Sequence, residues 1–278
     1  MGQNDSVKIP AETMPWITGT TRVFGTIAHP VDHVRAPMAF NPLFSARGLD
    51  HVMVPVDAPP EALADVVTAL RGMTNFGGLA VTIPHKMEMA KLCDTLGPEA
   101  QLTGAVNAVR FDPDGSMHGD NFDGAGFVAG LRQQGYEPAG MDVLMVGSGG
   151  AARAIALALC EAGVGLLRVR NRTEEKANAI VAALADLAGH HQAETATDHD
   201  GAGVDMIVNT TSLGLHAGDA LPISLDAVEA TTLIAEIIMI PERTDWLADA
   251  EARGLTTHYG RHMLDCQLEL IGGFIGAL

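Results

Sequence analysis

The sequence predicts an α/β fold in which parallel sheets are covered by helices. Three observations predict it. Segments of strand and helix length alternate along 278 residues, a length that suits about two domains. The stretch DVLMVGSGGAARAIALALCEAG, residues 142–163, has the strand–glycine–helix order of a dinucleotide-binding unit. Hydrophobic residues make up 47% and charged residues 18%, a globular composition, with no run of 18 apolar residues to span a membrane.

The elements follow in order from Arg22. RVFGTIA reads as a first strand, and APMAFNPLFSARG as a helix with Pro37 at its start and Gly48 beyond its end. Pro42 inside that helix predicts a kink or irregularity. HVMVPVD is a second strand, and EALADVVTALRGM an amphipathic helix with Leu63, Val66, Val67 and Leu70 on one face. GLAVTI is a third strand, followed by a helix from about His85 to Leu96. VNAVRFD and SMHGDN flank Pro113-Asp114-Gly115, a hairpin turn, and GAGFVAGLRQQG is the helix leading to the glycine cluster.

Beyond the cluster, LLRVRN is a strand. TEEKANAIVAALADLAG is a helix capped by Thr173, with Glu174 and Glu175 in the first turn and a stripe of Ala177, Ile180, Val181, Leu184 and Leu187. GHHQAETATDHDGAG reads as a polar loop, VDMIVN and TLIAEIIM as strands, and PERTDWLADAEARG as a helix bounded by Pro241 and Gly254. HMLDCQLELIGGFIGAL is a last helix.

Within the glycine stretch, Gly147 permits the tight turn and Gly149 the close approach of backbone to a pyrophosphate. The small Ala152 lets helix and strand pack, and the helix N-terminus offers unpaired N–H groups. An acid ending the next strand would bind the ribose hydroxyls of NAD, whereas a basic or neutral polar group accommodates the 2′-phosphate of NADP. That position is Asn171, 24 residues beyond Gly147, followed by Arg172, Thr173 and Lys176, so NADP is favoured over NAD. Glu174 and Glu175 must then point away from the phosphate.

Composition excludes other classes. A net charge of −17 disfavours nucleic acid and anionic membranes as partners, and requires an anionic ligand to be gripped locally. Cys93, Cys160 and Cys266 are far apart and read as reduced core thiols of a cytoplasmic protein. The segment MGQNDSVKIPAETMPW lacks the pattern of a signal peptide and reads as a loose arm. His29 and His33 are four apart with Asp32 between, but no third ligand with helical spacing follows, so no metal is expected. His190, His191, Asp198, His199 and Asp200 read as solvated, and Ser148 and Ser212 lack a nucleophile-elbow context.

Two stretches in the first half carry chemistry. AVTIPHK, residues 80–86, ends a strand with Thr82 and Lys86, and GDNFDGAG, residues 119–126, sets Asp123 at a helix start. A lysine and an aspartate joined in a cleft form a proton-transfer pair, the carboxylate orienting the ammonium. His85 reads as a solvated neighbour of Lys86.

At these residues the chain resembles the shikimate dehydrogenases. The motifs are V-T-I-P-x-K (81–86), G-A-V-N (104–107), N-x-D-G-x-G (121–126), G-S-G-G-A-A, N-R-T-x-x-K, V-N-T-T-S (208–212) and G-x-x-M-L-x-x-Q (260–267), in that order over nearly the whole length. The resemblance implies an N-terminal three-layer αβα substrate domain, residues 1–122 and 257–278, and a Rossmann-type doubly wound nucleotide domain, residues 123–256. It implies a monomer or homodimer that takes a small alicyclic substrate in aromatic amino acid biosynthesis. Lys86 and Asp123 would be the catalytic pair, and Thr82, Asn107 and Gln267 would bind ring hydroxyls. Gly147, Ser148, Gly149, Gly150, Ala151, Asn171, Arg172, Thr173, Lys176, Thr211, Ile237 and Gly260 would hold the cofactor.

The sequence departs from the family at the substrate carboxylate. The family's H-S-x-S-P is His33-Val34-Arg35-Ala36-Pro37 here, the usual tyrosine falls at Met239, and the usual Asp before it is Glu236. A buried carboxylate without partners costs several kcal/mol, on the order of a lost charged hydrogen bond or more. The main expectation is therefore an alicyclic hydroxy or keto compound other than shikimate. The alternatives are true shikimate or quinate dehydrogenation with Arg35 holding the carboxylate, and a catalytically weak cofactor-binding sensor. The retained Lys86 and Asp123 argue against the sensor.

Overall fold

The computed structural model describes residues 17–32, 34–188 and 192–278, so the expectations for the N-terminal arm, His33, His190 and His191 lie outside it. The first half runs β1 (Arg22–Ala28), α1 (Ala36–Ala46), β2 (His51–Asp57), a 3-10 turn at Pro60–Ala62, α2 (Leu63–Arg71), β3 (Phe76–Val81), α3 (Lys86–Leu92), β4 (Thr95–Leu96), α4 (Pro98–Thr103), β5 (Ala108–Phe111) and β6 (Met117–Asp120). After α5 (Asp123–Gln133) come β7 (Asp142–Val146), α6 (Gly150–Glu161), β8 (Leu166–Arg170), α7 (Glu174–Ala188), β9 (Ala193–Thr195), β10 (Met206–Asn209), β11 (Leu233–Glu236), α8 (Asp245–Ala252), β12 (Thr256–His258) and α9 (Arg261–Phe274). The described residues form two six-stranded sheets, in the orders β2-β1-β3-β5-β6-β4 and β12-β11-β10-β7-β8-β9.

The second sheet is parallel throughout, as expected. The first is not. The β5–β6 hairpin turns the chain back, so β5 runs antiparallel to β3 and to β6. The turn is closed by Gly115 at φ +84°, a conformation that favours glycine. This reversal positions the site. Ala80 pairs with Ala108 and Ala108 with Asp120, so the C-terminal end of β3, the start of β5 and the end of β6 lie side by side.

Several element boundaries differ from the expectation. The helix expected to Leu96 ends at Leu92, because β4 peels away to pair with β6 and α4 follows it. The polar loop after α7 contains β9, paired with β8, and TTH forms β12 beside β11. The boundary expected at residue 257 therefore falls inside a strand of the second sheet. The helix expected from Pro241 starts at Asp245, where the Thr244 side chain accepts from the Leu247 N–H. α1 runs unbroken through Pro42. Pro42 and Met38, one turn earlier, are both exposed. Of the expected stripe on α7, Ala177, Ile180 and Leu184 are buried and Val181 packs partly, whereas Leu187 lies outside the described side chains. Cys160 is buried as expected, but Cys93 and Cys266 are half-buried.

Two helices tie the sheets together. Phe127 and Leu131 of α5 and Met263 of α9 join the core of the second sheet. Farther along α9, Ile271, and after it Ile275 and Ala277, pack with Phe24, Phe40 and Phe44 against the first. Each such buried aromatic or aliphatic side chain contributes about 1.5–3 kcal/mol. α5 and α9 approach closely because α5 carries glycines at the contact. A Cβ on Gly126 would stand 2.4 Å from Gln267 Cγ, and one on Gly130 2.9 Å from the His262 carbonyl.

Candidate active site

The loops that follow β3, precede β5 and follow β6 converge on one carboxylate. Lys86, the first residue of α3, donates from Nζ to Asp123 Oδ2 at 2.9 Å and to Oδ1 at 3.2 Å. Asn107, just before β5, donates from Nδ2 to Oδ1 at 3.0 Å, and Gln267 of α9 donates from Nε2 to the same atom at 3.2 Å. Three side-chain donors thus compensate a carboxylate that sits largely out of water. The Lys86 side chain is 29% exposed and that of Asp123 11%, so the ammonium is presented to solvent while the carboxylate is shielded behind it. The chemistry open to such a pair is proton transfer at Lys86, with Asp123 fixing the direction of the N–H bonds.

The backbone holds the donors in place. The Val81 N–H donates to the Asn107 carbonyl at 2.7 Å, and the Val106 N–H to the Lys86 carbonyl at 3.0 Å. Asn107 Oδ1 accepts from the Phe122 N–H at 2.9 Å. Asn121, 2% exposed, accepts the Asp123 N–H on Oδ1 and donates from Nδ2 to the Ala105 carbonyl. Its fixing role was not anticipated, although it opens the N-x-D-G-x-G motif. Gly124 serves the same end by being small, since a Cβ there would stand 2.1 Å from the Ala154 carbonyl of α6. His85 corrects an expectation. It is buried, not solvated, with Nε2 2.8 Å from the Ala58 carbonyl, because the start of α3 tucks under the segment after β2.

Thr82 is half-buried on the Lys86 loop, its N–H donating to the Ile27 carbonyl at 3.2 Å. The loop after β1 runs beside this one, with the His29 N–H on the Ile83 carbonyl. Arg35 caps α1 at the end of the β1 loop. It is exposed, and among the described residues it makes no ion pair and no hydrogen bond to Lys86, Asn107, Asp123 or Gln267. Val34 and Ala36 beside it are half-buried.

The residues expected to hold a cofactor gather at the carboxyl ends of the second sheet. Val146, Asn209 and Glu236 stand in register, so the turns after β7, β10 and β11 are neighbours. Gly147 has φ +123°, and a Cβ there would meet Thr210 Oγ1 at 2.4 Å. Nothing lies within 4 Å of a Cβ built on Gly149 or Gly150. Open space therefore faces the first turn of α6, whose N–H groups have no side-chain cap, and this fits a pyrophosphate. Ser148 and Ala151 flank this opening, both half-buried. Asn171 donates to the Thr173 carbonyl at 2.8 Å, and Arg172, Thr173 and Lys176 are exposed at the adjoining edge. Glu174 and Glu175 share that edge.

Thr211 donates from Oγ1 to Asn209 Oδ1 at 2.7 Å. Gly260 abuts the backbone of Ile237 and Ile238, 2.4 Å from the Ile238 carbonyl to a Cβ position. Beneath them Glu236 is fully buried. It accepts from Asn209 Nδ2, from the N–H groups of Ile237 and Ile238, and from the Thr244 hydroxyl. Burial pushes its pKa up to about 7, against those donors. The Asn209–Glu236 pair was not foreseen as part of this floor.

Residues 26–109 match the family model for the shikimate dehydrogenase substrate binding domain. The chain is 39% identical to a shikimate dehydrogenase (NADP(+)) of Rubrobacter xylanophilus over 91% of this chain and 89% of that protein. Among solved structures it is similar to the shikimate 5-dehydrogenase of Listeria monocytogenes in complex with shikimate and NAD (TM-score 0.86, 30% identity, 94% of each chain). It is also similar to the 5-ketofructose reductase of Gluconobacter sp. strain CHM43 (TM-score 0.83, 31% identity, 92% of this chain and 93% of that one).

Proposed function

The chain belongs to the shikimate dehydrogenase family, and from that premise we propose that it interconverts shikimate, or its analogue quinate, and the corresponding ketone, with Lys86 moving the proton. It is an NADP-linked oxidoreductase acting on a CH–OH group. A nicotinamide held at the second sheet would supply or take up the hydride. The chain's own residues do the rest. Lys86 Nζ, held by Asp123, takes the hydroxyl proton as the alcohol is oxidised and returns it on reduction. Thr82, Asn107 and Gln267 orient ring hydroxyls, and Arg35, swung inward from its exposed position, pairs with the carboxylate. The α6 N-terminus receives the pyrophosphate, and Asn171, Arg172, Thr173 and Lys176 receive the 2′-phosphate end.

The observation that carries this reading is the Lys86–Asp123 pair with Asn107 and Gln267 on the same carboxylate. The expectation that shikimate itself is excluded finds no support among the relatives, whose names favour the alternative. A second reading, a polyol or keto sugar lacking a carboxylate, is favoured by the apolar Val34 and Ala36 and by the likeness to a 5-ketofructose reductase. Steady-state rates with shikimate, quinate and 5-ketofructose, each with NADP(H) and NAD(H), separate the two. Shikimate or quinate turnover with a KM at least tenfold higher in Arg35→Met supports the first. Turnover of 5-ketofructose alone overturns it.

A further inference from the structure

Glu236 lies under the carboxyl edge of the second sheet, and the reading above gives it no role. It ends β11, and Asn209, its register partner, ends β10; both are fully buried. A carboxylate out of water is costly unless donors surround it. Here Oε1 accepts from the Ile237 N–H at 2.9 Å and the Ile238 N–H at 3.1 Å, and Oε2 from Asn209 Nδ2 at 2.9 Å and the Thr244 hydroxyl at 3.3 Å. Asn209 Nδ2 also donates to the Leu213 carbonyl at 3.0 Å, while Asn209 Oδ1 accepts the Thr211 N–H at 3.0 Å and the Thr211 hydroxyl at 2.7 Å. One buried pair thus holds two turns, residues 210–213 after β10 and 237–238 after β11. Gly260, just before α9, closes against the second of them. A well-packed apolar pair is often as stable as a buried charged one, so stability alone gives no reason for the charge.

We propose that Glu236 is a positioning residue for the nicotinamide half of the cofactor: through the Ile237–Ile238 backbone, and through Asn209 to Thr211, it fixes the wall against which the ring lies, without touching the ring. The proposal rests on the reading of the second sheet as the nucleotide site. The strand order β12-β11-β10-β7-β8-β9 puts the α6 opening, after β7, in the middle of the edge. Asn171 and Arg172 stand beyond β8 on one side, and the turns after β10 and β11 on the other. A dinucleotide laid across that edge, with its pyrophosphate at α6 and its adenosine toward β8, sets its nicotinamide over the two turns that Glu236 ties. A glutamine at 236 would keep one oxygen for the Ile237 and Ile238 N–H groups. Its NH2 would face the Asn209 NH2, donor against donor, so the Thr211 turn would loosen while the side-chain volume stays the same.

Adenosine 2′,5′-bisphosphate carries the adenosine and 2′-phosphate of NADPH but no nicotinamide, so titration calorimetry of both ligands with the full chain separates a local role from a structural one. Glu236→Gln should weaken NADPH by roughly fivefold or more, the worth of about one hydrogen bond, and leave the bisphosphate within about twofold of wild type. Glu236→Leu, which releases the Ile237–Ile238 backbone as well, should lose more NADPH affinity with the bisphosphate again unmoved. Should Glu236→Gln not fold, Glu236→Asp, which keeps the charge and shortens its reach to Asn209, is read in its place with the same selective loss expected. Unchanged NADPH affinity, an equal loss of both ligands, or failure of all three variants to fold overturns the proposal. Wild-type protein that binds neither ligand sinks the nucleotide reading and the proposal with it, a result distinct from a loss of both ligands in the variants alone.

Discussion

Lys86 and Lys91 sit on one short helix and each pairs with a carboxylate, yet the two pairs differ in burial. Lys91 and Glu88 are both more than 60% exposed, so their ion pair is screened and contributes little. Asp123 is shielded and carries donors from three separate elements. Lys86→Ala is therefore expected to lower kcat by roughly 10²–10⁴-fold, the usual worth of a positioned acid–base group. NADP affinity, measured by fluorescence titration, should stay within about twofold, because the residues proposed to hold the cofactor stand on the other sheet. Undiminished turnover in that variant would refute the assigned role. The sequence made Lys86, Asp123, Asn107 and Gln267 legible through motif order. It could not show that Glu99 is buried, since an acid in the first turn of a helix is what a solvated, dipole-favoured residue looks like. His85 misled for the opposite reason, because a histidine next to a surface-type helix start gives no sign that a neighbouring segment will cover it.

The helices and hairpin explain why those residues meet. Strand–helix alternation revealed the second sheet almost completely, because a parallel strand needs a helix to return. It misread the first sheet, where the hairpin reverses β5, and it missed β4, β9 and β12, each of two or three residues and too short for any periodicity. In the sequence Gly124 and Gly126 are motif letters, and their packing role becomes visible only with α6 and α9 in place. Gly126→Ala should push Gln267 off Asp123. The expected outcome is a loss of about 1–3 kcal/mol in urea unfolding from overpacking, with a rise in the KM of the substrate but not of NADP. Thr244→Ala should remove both the α8 cap and a donor to Glu236, lowering stability by about 1 kcal/mol.

Taken together, the buried titratable groups give the molecule a pH preference. Glu99 and Glu236 have folded pKa values raised to about 8 and about 7 from 4.5. The stability they contribute is full below about pH 4.5 and is lost as pH rises through 7 and 8. His258 acts on the other side. Both its ring nitrogens are buried without partners among the described residues, and burial, with His262 adding to it, holds its pKa down to about 4. Its share of stability is present above pH 6.5 and is lost as pH falls toward 4. The net charge of −17 adds self-repulsion in the alkaline direction. The melting temperature should be higher at pH 5.5 than at pH 8.5, and the decline should flatten in Glu99→Gln/Glu236→Gln. His258→Phe, packed among Phe127, Tyr136 and His262, should melt higher and lose the acid-side decline between pH 6.5 and 4.

The path of α9 carries one more consequence. Met263, Gln267 and Ile271 are spaced four apart along it, and Ile275 follows directly after its end. They belong in turn to the core of the second sheet, the Asp123 cluster and the core of the first. Phe24, Phe40 and Phe44 thus wait for partners more than 220 residues away in the chain, and contacts so distant form late. The second sheet, contiguous in the chain, can mature without them. Pulse-labelling hydrogen exchange during refolding should show the amides of β7, β8 and β10 protected before those of β1 and β3, so that the lobe gripping the nucleotide is finished first and catalytic competence arrives only when the far end of the polypeptide docks home.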